Sequence, residues 1–120
     1  MTSELHAVTV DAADPRRLAE FWSTMLGYKV GYDSPEEVAI EKPDESGPEV
    51  LFIKVPEAKT IKNRIHFDLS PGDQAAEVER ALSLGARHVD IGQADDPEAT
   101  WTVLADPEGN EFCILRPRPD

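Results

Sequence analysis

Residues 106–115 have the sequence DPEGNEFCIL, in which a tight turn is followed by a short strand. Asp, Pro, Gly and Asn are the residues that turns prefer, and the residues after them, Glu111–Leu115, fit a short buried strand. One face of this strand would carry two apolar side chains, and the other would carry Cys113 between Glu111 and Leu115. Cys113 is the single cysteine of the chain. The stretch therefore predicts a final strand with one thiol on its second face.

The same order of elements occurs twice along the chain, a strand and a helix followed by three short strands. VTVD (8–11) superposes on IHFD (65–68), and GPEVLFIKV (47–55) superposes loosely on EGNEFCILR (108–116). An internal repeat of this kind constrains the fold more than any single motif. We therefore predict an α+β fold of two tandem βαβββ modules whose curved sheets form a cleft. Both modules belong to one domain, 1–120, with module one at about 5–57 and module two at about 63–117.

The helices are predicted from the residues at their ends. Asp14–Pro15 marks the start of the first helix and Gly27 its end. The second helix begins at Pro71 or Asp73 and ends at Gly85, with Ala75, Val78 and Leu82 facing inward. Strands are predicted at 5–11, 28–32, 38–41, 50–55, 64–69, 87–91, 100–104 and 111–115. A ferredoxin-like sandwich is the alternative fold, and it has fewer strands after each helix.

Length and charge narrow the class of protein. A chain of 120 residues with a net charge of −12 fits one globular domain that phosphate backbones repel, so we expect no nucleic-acid partner. The sequence begins without the basic and apolar segments of a signal peptide, and no stretch is apolar enough for a membrane helix. With one cysteine in addition, we expect a cytoplasmic protein.

The repeat and the turn together resemble a known superfamily. Two βαβββ modules with DPEGNEF before the last strand resemble the vicinal oxygen chelate proteins, which include glyoxalase I, extradiol dioxygenases, fosfomycin-resistance enzymes and bleomycin-resistance proteins. DAADPRRLAEFW and VLADPEGNEFCIL are similar to its small glyoxalase-like members. The resemblance implies a cleft in which the enzymes usually hold a divalent metal, through His, Glu or Gln of the first and last strands of each module. It does not fix the reaction, because this fold hosts many activities.

Side chains alternate between the two faces of a strand, and this alternation tests the implied positions. His66 matches the second-module histidine ligand, and Arg64 and Asp68 share its polar face. The repeat makes Thr9, rather than His6, the counterpart of His66. The family's glutamate falls on Cys113, and a strand aromatic, Trp101, could stack on a planar ligand. The predicted ligand-binding residues are Thr9, Asp11, Phe52, Lys54, Arg64, His66, Asp68, Trp101 and Cys113.

Because one good metal ligand remains in this set, we predict a metal-free protein that encloses a small organic molecule, such as an antibiotic or metabolite. The alternative is a divalent-metal lyase, isomerase or dioxygenase with His66 as a ligand. Zinc could be held there by His66 and Cys113 with help from Asp68 or Glu111. A third possibility is an interaction module with a vestigial cleft. We also expect a C2 homodimer with the cleft near its interface.

Overall fold

The computed structural model describes residues 2–89 and 101–117. The chain forms two compact units, Met1–Ala58 and Lys59–Asp120. In its described residues each unit has one helix and one four-stranded sheet, which confirms the βαβββ prediction over the ferredoxin-like alternative. None of the described helices is long and apolar enough to cross a membrane.

The first unit consists of β1 (Ala7–Ala12), α1 (Pro15–Leu26), β2 (Lys29–Asp33), β3 (Glu37–Glu41) and β4 (Glu49–Lys54). Its strands lie in the order β1-β4-β3-β2. The β1–β4 pair is parallel, and the other two pairs are antiparallel.

Helix α1 begins and ends at the predicted residues. Asp14 is its N-cap, accepting a hydrogen bond from the Arg17 backbone N–H at 3.2 Å, and Pro15 follows in the first turn. Gly27 is the C-cap with φ +69°, a left-handed conformation that glycine adopts without strain. The helix buries one face, whose large residues are Leu18, Phe21, Trp22 and Met25. Burying each of these side chains stabilises the unit by about 1.5–3 kcal/mol.

The second unit consists of β5 (Phe67–Leu69), α2 (Gln74–Ser83), β6 (Arg87–His88), β7 (Trp101–Ala105) and β8 (Glu111–Leu115). Its strand order, β5-β8-β7-β6, repeats that of the first sheet, and β5 is parallel to β8. The final strand has the predicted bounds. The predicted strand residues 90, 91 and 100 lie outside the described part of the chain.

Two predictions for the second unit are wrong in detail. The strand expected at 64–69 begins at Phe67, because Ile65 is 76% exposed and its carbonyl accepts a hydrogen bond from the Asn63 side chain rather than joining a ladder. Ala75 is exposed, whereas Ala81 is fully buried on α2. Alanine side chains are small, so the hydrophobic periodicity of this helix is weak and its buried face was predicted incorrectly.

The ends of α2 also refine the prediction. Asp73, not Pro71, is the N-cap, and its carboxylate accepts from the Ala76 N–H at 3.1 Å. Leu84 is the C-cap, and Gly85 follows it with φ +116°. The glycine therefore turns the chain after the helix instead of capping it.

The turn between β7 and β8 is built around one buried carboxylate. Asp106 is 1% exposed. Its Oδ1 accepts from the backbone N–H of Glu108 at 2.9 Å and of Asn110 at 3.0 Å, and the Asn110 amide lies 2.9 Å from Oδ2. Gly109 adopts φ +90° and donates its N–H to the Asp106 carbonyl. Asp106 thereby fixes the register in which β8 leaves the turn.

Candidate functional site

One face of the second sheet carries most of its polar chemistry. Asp68 of β5 pairs with Cys113 of β8, and Cys113 pairs with Val103 of β7. Trp101 and Leu115 form the next row on the same side. Partners directly opposite each other in neighbouring strands point to one face. We call this surface, with Asp68, Cys113, Val103, Trp101 and Leu115, the candidate ligand face.

The opposite face of the sheet is core. Phe112 and Ile114 alternate with Cys113 along β8, and both are fully buried, as is Leu104 beside them. Cys113 itself is 7% exposed. The parity predicted for this strand is therefore confirmed.

Three potential ligand atoms converge on the candidate ligand face. The Nε2 atom of His66 lies 3.2 Å from Oδ1 of Asp68, and both side chains are about half exposed, at 45% and 52%. The donor atoms of His66, Asp68 and Cys113 all lie within 4.8 Å of one another. Imidazole, carboxylate and thiolate form a set that suits zinc better than harder ions. This cluster is the one group of three such residues among the described parts of the chain.

The thiol in this cluster keeps its proton at neutral pH as long as no metal ion is bound. Burial raises the pKa of Cys113 to about 11, and the Asp68 carboxylate adds to the rise through its charge and through a hydrogen bond with the thiol. The charge of Lys62 opposes this effect. A metal ion would have to displace the thiol proton before Cys113 could bind it.

A carboxylate next to the cluster forms an ion pair and a hydrogen bond with residues of the same unit. Glu111 lies on the same side of β8 as Cys113, and its Oε2 atom is 2.9 Å from the Lys59 ammonium and 3.3 Å from the Asn63 backbone N. Burial would raise the pKa of Glu111, but the Lys59 and backbone hydrogen bonds and the Lys59 charge outweigh it and lower this pKa. Lys59 was not predicted as a site residue because it falls between the two predicted modules, 5–57 and 63–117.

The equivalent face of the first sheet has different chemistry. Thr9 pairs with Leu51, and Asp11 pairs with Ile53. Thr9 and Asp11 are exposed on one face of β1, but their neighbours on β4 are apolar.

Phe52 and Lys54 do not belong to the face of Thr9 and Asp11. They pair with Val10 and Ala12 instead, and Phe52 is fully buried. The predicted register of β4 was therefore wrong by one residue. Its run of four consecutive apolar side chains, at 50–53, allowed either register, so the sequence alone did not decide it.

Two other residues considered from the sequence lie outside the strands. Arg64 is exposed and precedes β5. His6 precedes β1, and its Nε2 atom is 3.9 Å from the Glu49 carboxylate, with the imidazole 89% exposed. The structure therefore brings together His66, Asp68 and Cys113, with Trp101 on the same face.

Comparison with known proteins places these features in context. The family model described as a glyoxalase-like domain matches residues 7–115. A search of curated proteins found no match.

Solved structures share the fold at low sequence identity. A fosfomycin resistance protein, FosX, from Listeria monocytogenes, whose structure contains Mn(II) and 1S,2S-dihydroxypropylphosphonic acid, is 16% identical with a TM-score of 0.73, covering 98% of this chain and 93% of that one. A glyoxalase/bleomycin resistance protein/dioxygenase family enzyme from Burkholderia phytofirmans is 20% identical with a TM-score of 0.71, covering 95% and 98%. The oxidase ChaP-H2 is 21% identical with a TM-score of 0.68, covering 99% and 96%. At these identities the similarity shows the fold alone.

Proposed function

Because the chain belongs to the glyoxalase-like domain family, we propose that it binds a small organic molecule at the candidate ligand face, and that it does so without a metal ion. The observation that carries this proposal is the contact of Asp68 with both other potential ligands. Its Oδ1 atom lies 3.2 Å from Nε2 of His66, and it forms a hydrogen bond with the buried Cys113 thiol, whose pKa it helps to raise. The three potential ligands thus bond to one another.

The internal symmetry of the chain supports the same conclusion. Val10 pairs with Phe52 in the first sheet as Phe67 pairs with Phe112 in the second. Phe52 and Phe112 are therefore equivalent, and so are the residues that follow them. Ile53 of the first unit occupies the position that Cys113 has in the second. An isoleucine cannot bind a metal, so the first unit adds no ligand from that position.

The candidate ligand face has the mixed character of an organic-ligand site. Leu115 and Trp101 are half-buried, so Leu115 supplies apolar surface and Trp101 offers a ring for a planar group, whereas Val103 is only 1% exposed. Asp68 supplies a hydrogen-bond acceptor that is 52% exposed. A net charge of −12 favours neutral or cationic ligands over anions.

Native mass spectrometry of the untagged protein tests the proposal. We expect a co-purified organic mass that survives treatment with EDTA, or binding of added bleomycin in the presence of EDTA. Stoichiometric Zn, Mn, Ni or Fe that EDTA removes together with the organic mass would contradict the metal-free form of the proposal. Binding of no organic molecule, with or without metal, would contradict the binding function.

A second candidate function is that of a metal-dependent lyase, isomerase or dioxygenase, and the spacing of the ligand atoms favours it. His66, Asp68 and Cys113 would hold the ion, and three protein ligands are the number that leaves a zinc ion one open position. The ion would supply Lewis-acid activation of a substrate oxygen. Calorimetric titration with Zn²⁺ distinguishes this candidate, since it requires micromolar or tighter affinity that His66→Ala removes and His6→Ala retains.

We also propose that two copies of the chain associate as a C2 homodimer. All five residues of the edge strand β2 are exposed, including Val30 at 51% and Tyr32 at 53%. An edge strand with exposed apolar side chains is a surface that a second copy can cover. With a net charge of −12 on each copy, apolar contacts rather than ion pairs would have to supply the affinity.

A further inference from the structure

Residues 59–66 form a segment without helix or strand that we call the strap. Its polar groups meet the same side of the second sheet. The Lys59 ammonium is 2.9 Å from Oε2 of Glu111, and the Asn63 backbone N–H donates to that oxygen at 3.3 Å. At the other end of the strap, His66 contacts Asp68 at 3.2 Å. The strap is therefore attached at two points beside Cys113.

The strap has no apolar anchor among its large hydrophobic residues. Ile61 is 75% exposed and Ile65 is 76% exposed, whereas the Lys59 and Glu111 side chains are only 23% and 13% exposed. The side chain of Asn63 is half-buried, and its Oδ1 atom has no hydrogen-bond partner within the described residues. A segment held by a few polar contacts opens locally far more easily than a segment held by buried apolar surface.

The strap also lies close to the buried thiol. Cys113 is 7% exposed although its neighbour in the row, Asp68, has a side chain that is 52% exposed. The charge of Lys62, in the middle of the strap, acts on the thiol. These observations favour a strap that contributes to the cover over Cys113.

We propose that the strap is a gate over the candidate ligand face, latched by the ion pair between Lys59 and Glu111, and that a ligand enters when the latch opens. The role of the gate in ligand entry rests on the proposed function, whereas the opening of the strap does not. The latch is a charge-assisted hydrogen bond in a mostly buried place, so its loss should change the opening equilibrium about tenfold or more.

The lone cysteine makes this opening measurable. Iodoacetamide at pH 8 in EDTA alkylates Cys113, and mass spectrometry gives the rate. We expect Lys59→Met and Glu111→Gln each to accelerate alkylation about tenfold or more. The matched controls, Lys42→Met and Glu79→Gln, change exposed residues that are not part of the latch, and these variants should be alkylated at the wild-type rate.

The two variants separate opening from simple electrostatics. Removing the positive charge of Lys59 should raise the pKa of the thiol and slow alkylation, whereas removing the negative charge of Glu111 should do the reverse. Acceleration in both variants therefore identifies opening of the strap. Unchanged rates, or changes of opposite sign, would overturn the proposal.

Hydrogen exchange of the wild-type protein tests the gate without any variant. We expect the Asn63 amide to exchange faster than the amides of β8, and its opening constant to match the one that limits alkylation of Cys113. If Cys113 is alkylated only as fast as the β8 amides become exposed, the thiol needs unfolding of the sheet, and the strap is not a gate. Both measurements use no ligand, so they can succeed even if native mass spectrometry finds none.

Discussion

Replacing Asp106 by alanine should destabilise the second unit more than any other single change in a turn of that unit. The carboxylate accepts from two backbone N–H groups and from the amide of Asn110, and it is 1% exposed. Hydrogen bonds to charged groups contribute about 1.5–3 kcal/mol each. Glu108 and Asn110 are half-buried, so water can replace part of what they lose. We therefore expect Asp106→Ala to lower the free energy of unfolding by about 2–4 kcal/mol, a large part of the about 5–15 kcal/mol typical of a domain.

Urea unfolding followed by far-UV circular dichroism measures this loss, and hydrogen exchange of β8 locates it. Asp44→Ala is the matched control, since Asp44 accepts from the backbone N and the hydroxyl of Ser46 in an exposed turn. We expect no measurable change for that control. Asp106→Asn keeps the shape of the side chain and should lose about half as much stability as Asp106→Ala, because an amide replaces one acceptor oxygen by a donor. A loss below about 1 kcal/mol for Asp106→Ala, or an equal loss for Asp44→Ala, would refute the argument that burial makes these bonds strong.

Three further predictions concern the thiol, the metal and the assembly. The pKa of Cys113 rises from 9.0 to about 11 on folding. As pH rises, the unfolded chain therefore loses this proton before the folded chain does. The free energy of unfolding of the wild type relative to Cys113→Ala should fall between pH 9 and pH 11, by up to about 2–3 kcal/mol. If urea unfolding gives the two proteins the same pH dependence, the shift is contradicted. Elemental analysis of protein purified without added metal should find less than about one tenth of a metal ion per chain in the wild type and in both variants, His66→Ala and His6→Ala. One metal ion per wild-type chain that is lost in His66→Ala alone would favour the metal-dependent enzyme. Light scattering at micromolar concentration should give about twice the 13.3 kDa monomer mass, whereas a monomer in moderate salt would reject the dimer.

The parts of the fold that were predictable from sequence depend on local chemistry. Asp14, Pro15 and Gly27 define α1 through capping rules that need no distant partner. The start of β5 was not predictable. Ile65 fits the alternating pattern of a strand, but its carbonyl accepts a hydrogen bond from the Asn63 side chain instead of joining the sheet. Such competition between a side chain and a sheet ladder is decided by tertiary structure.

The candidate site shows the same division. Parity and the repeat placed Asp68 and Cys113 on one face, and the structure pairs them directly. The partner of Glu111 could not be found in this way, because Lys59 belongs to a segment with no periodicity. No sequence signal distinguishes a lysine that folds back onto a carboxylate from one that remains in solvent.

The repeated register has a consequence for how such a chain can diversify. Phe52 and Phe112 occupy equivalent buried places, while the next residues, Ile53 and Cys113, differ completely in reactivity. The phenylalanine and the residue after it lie on opposite faces of each sheet, so the side chain that packs in the core is separate from the one that differs between the units. A substitution at the residue after the phenylalanine in one unit can therefore introduce a different side-chain chemistry there, while the equivalent position of the other unit is unchanged.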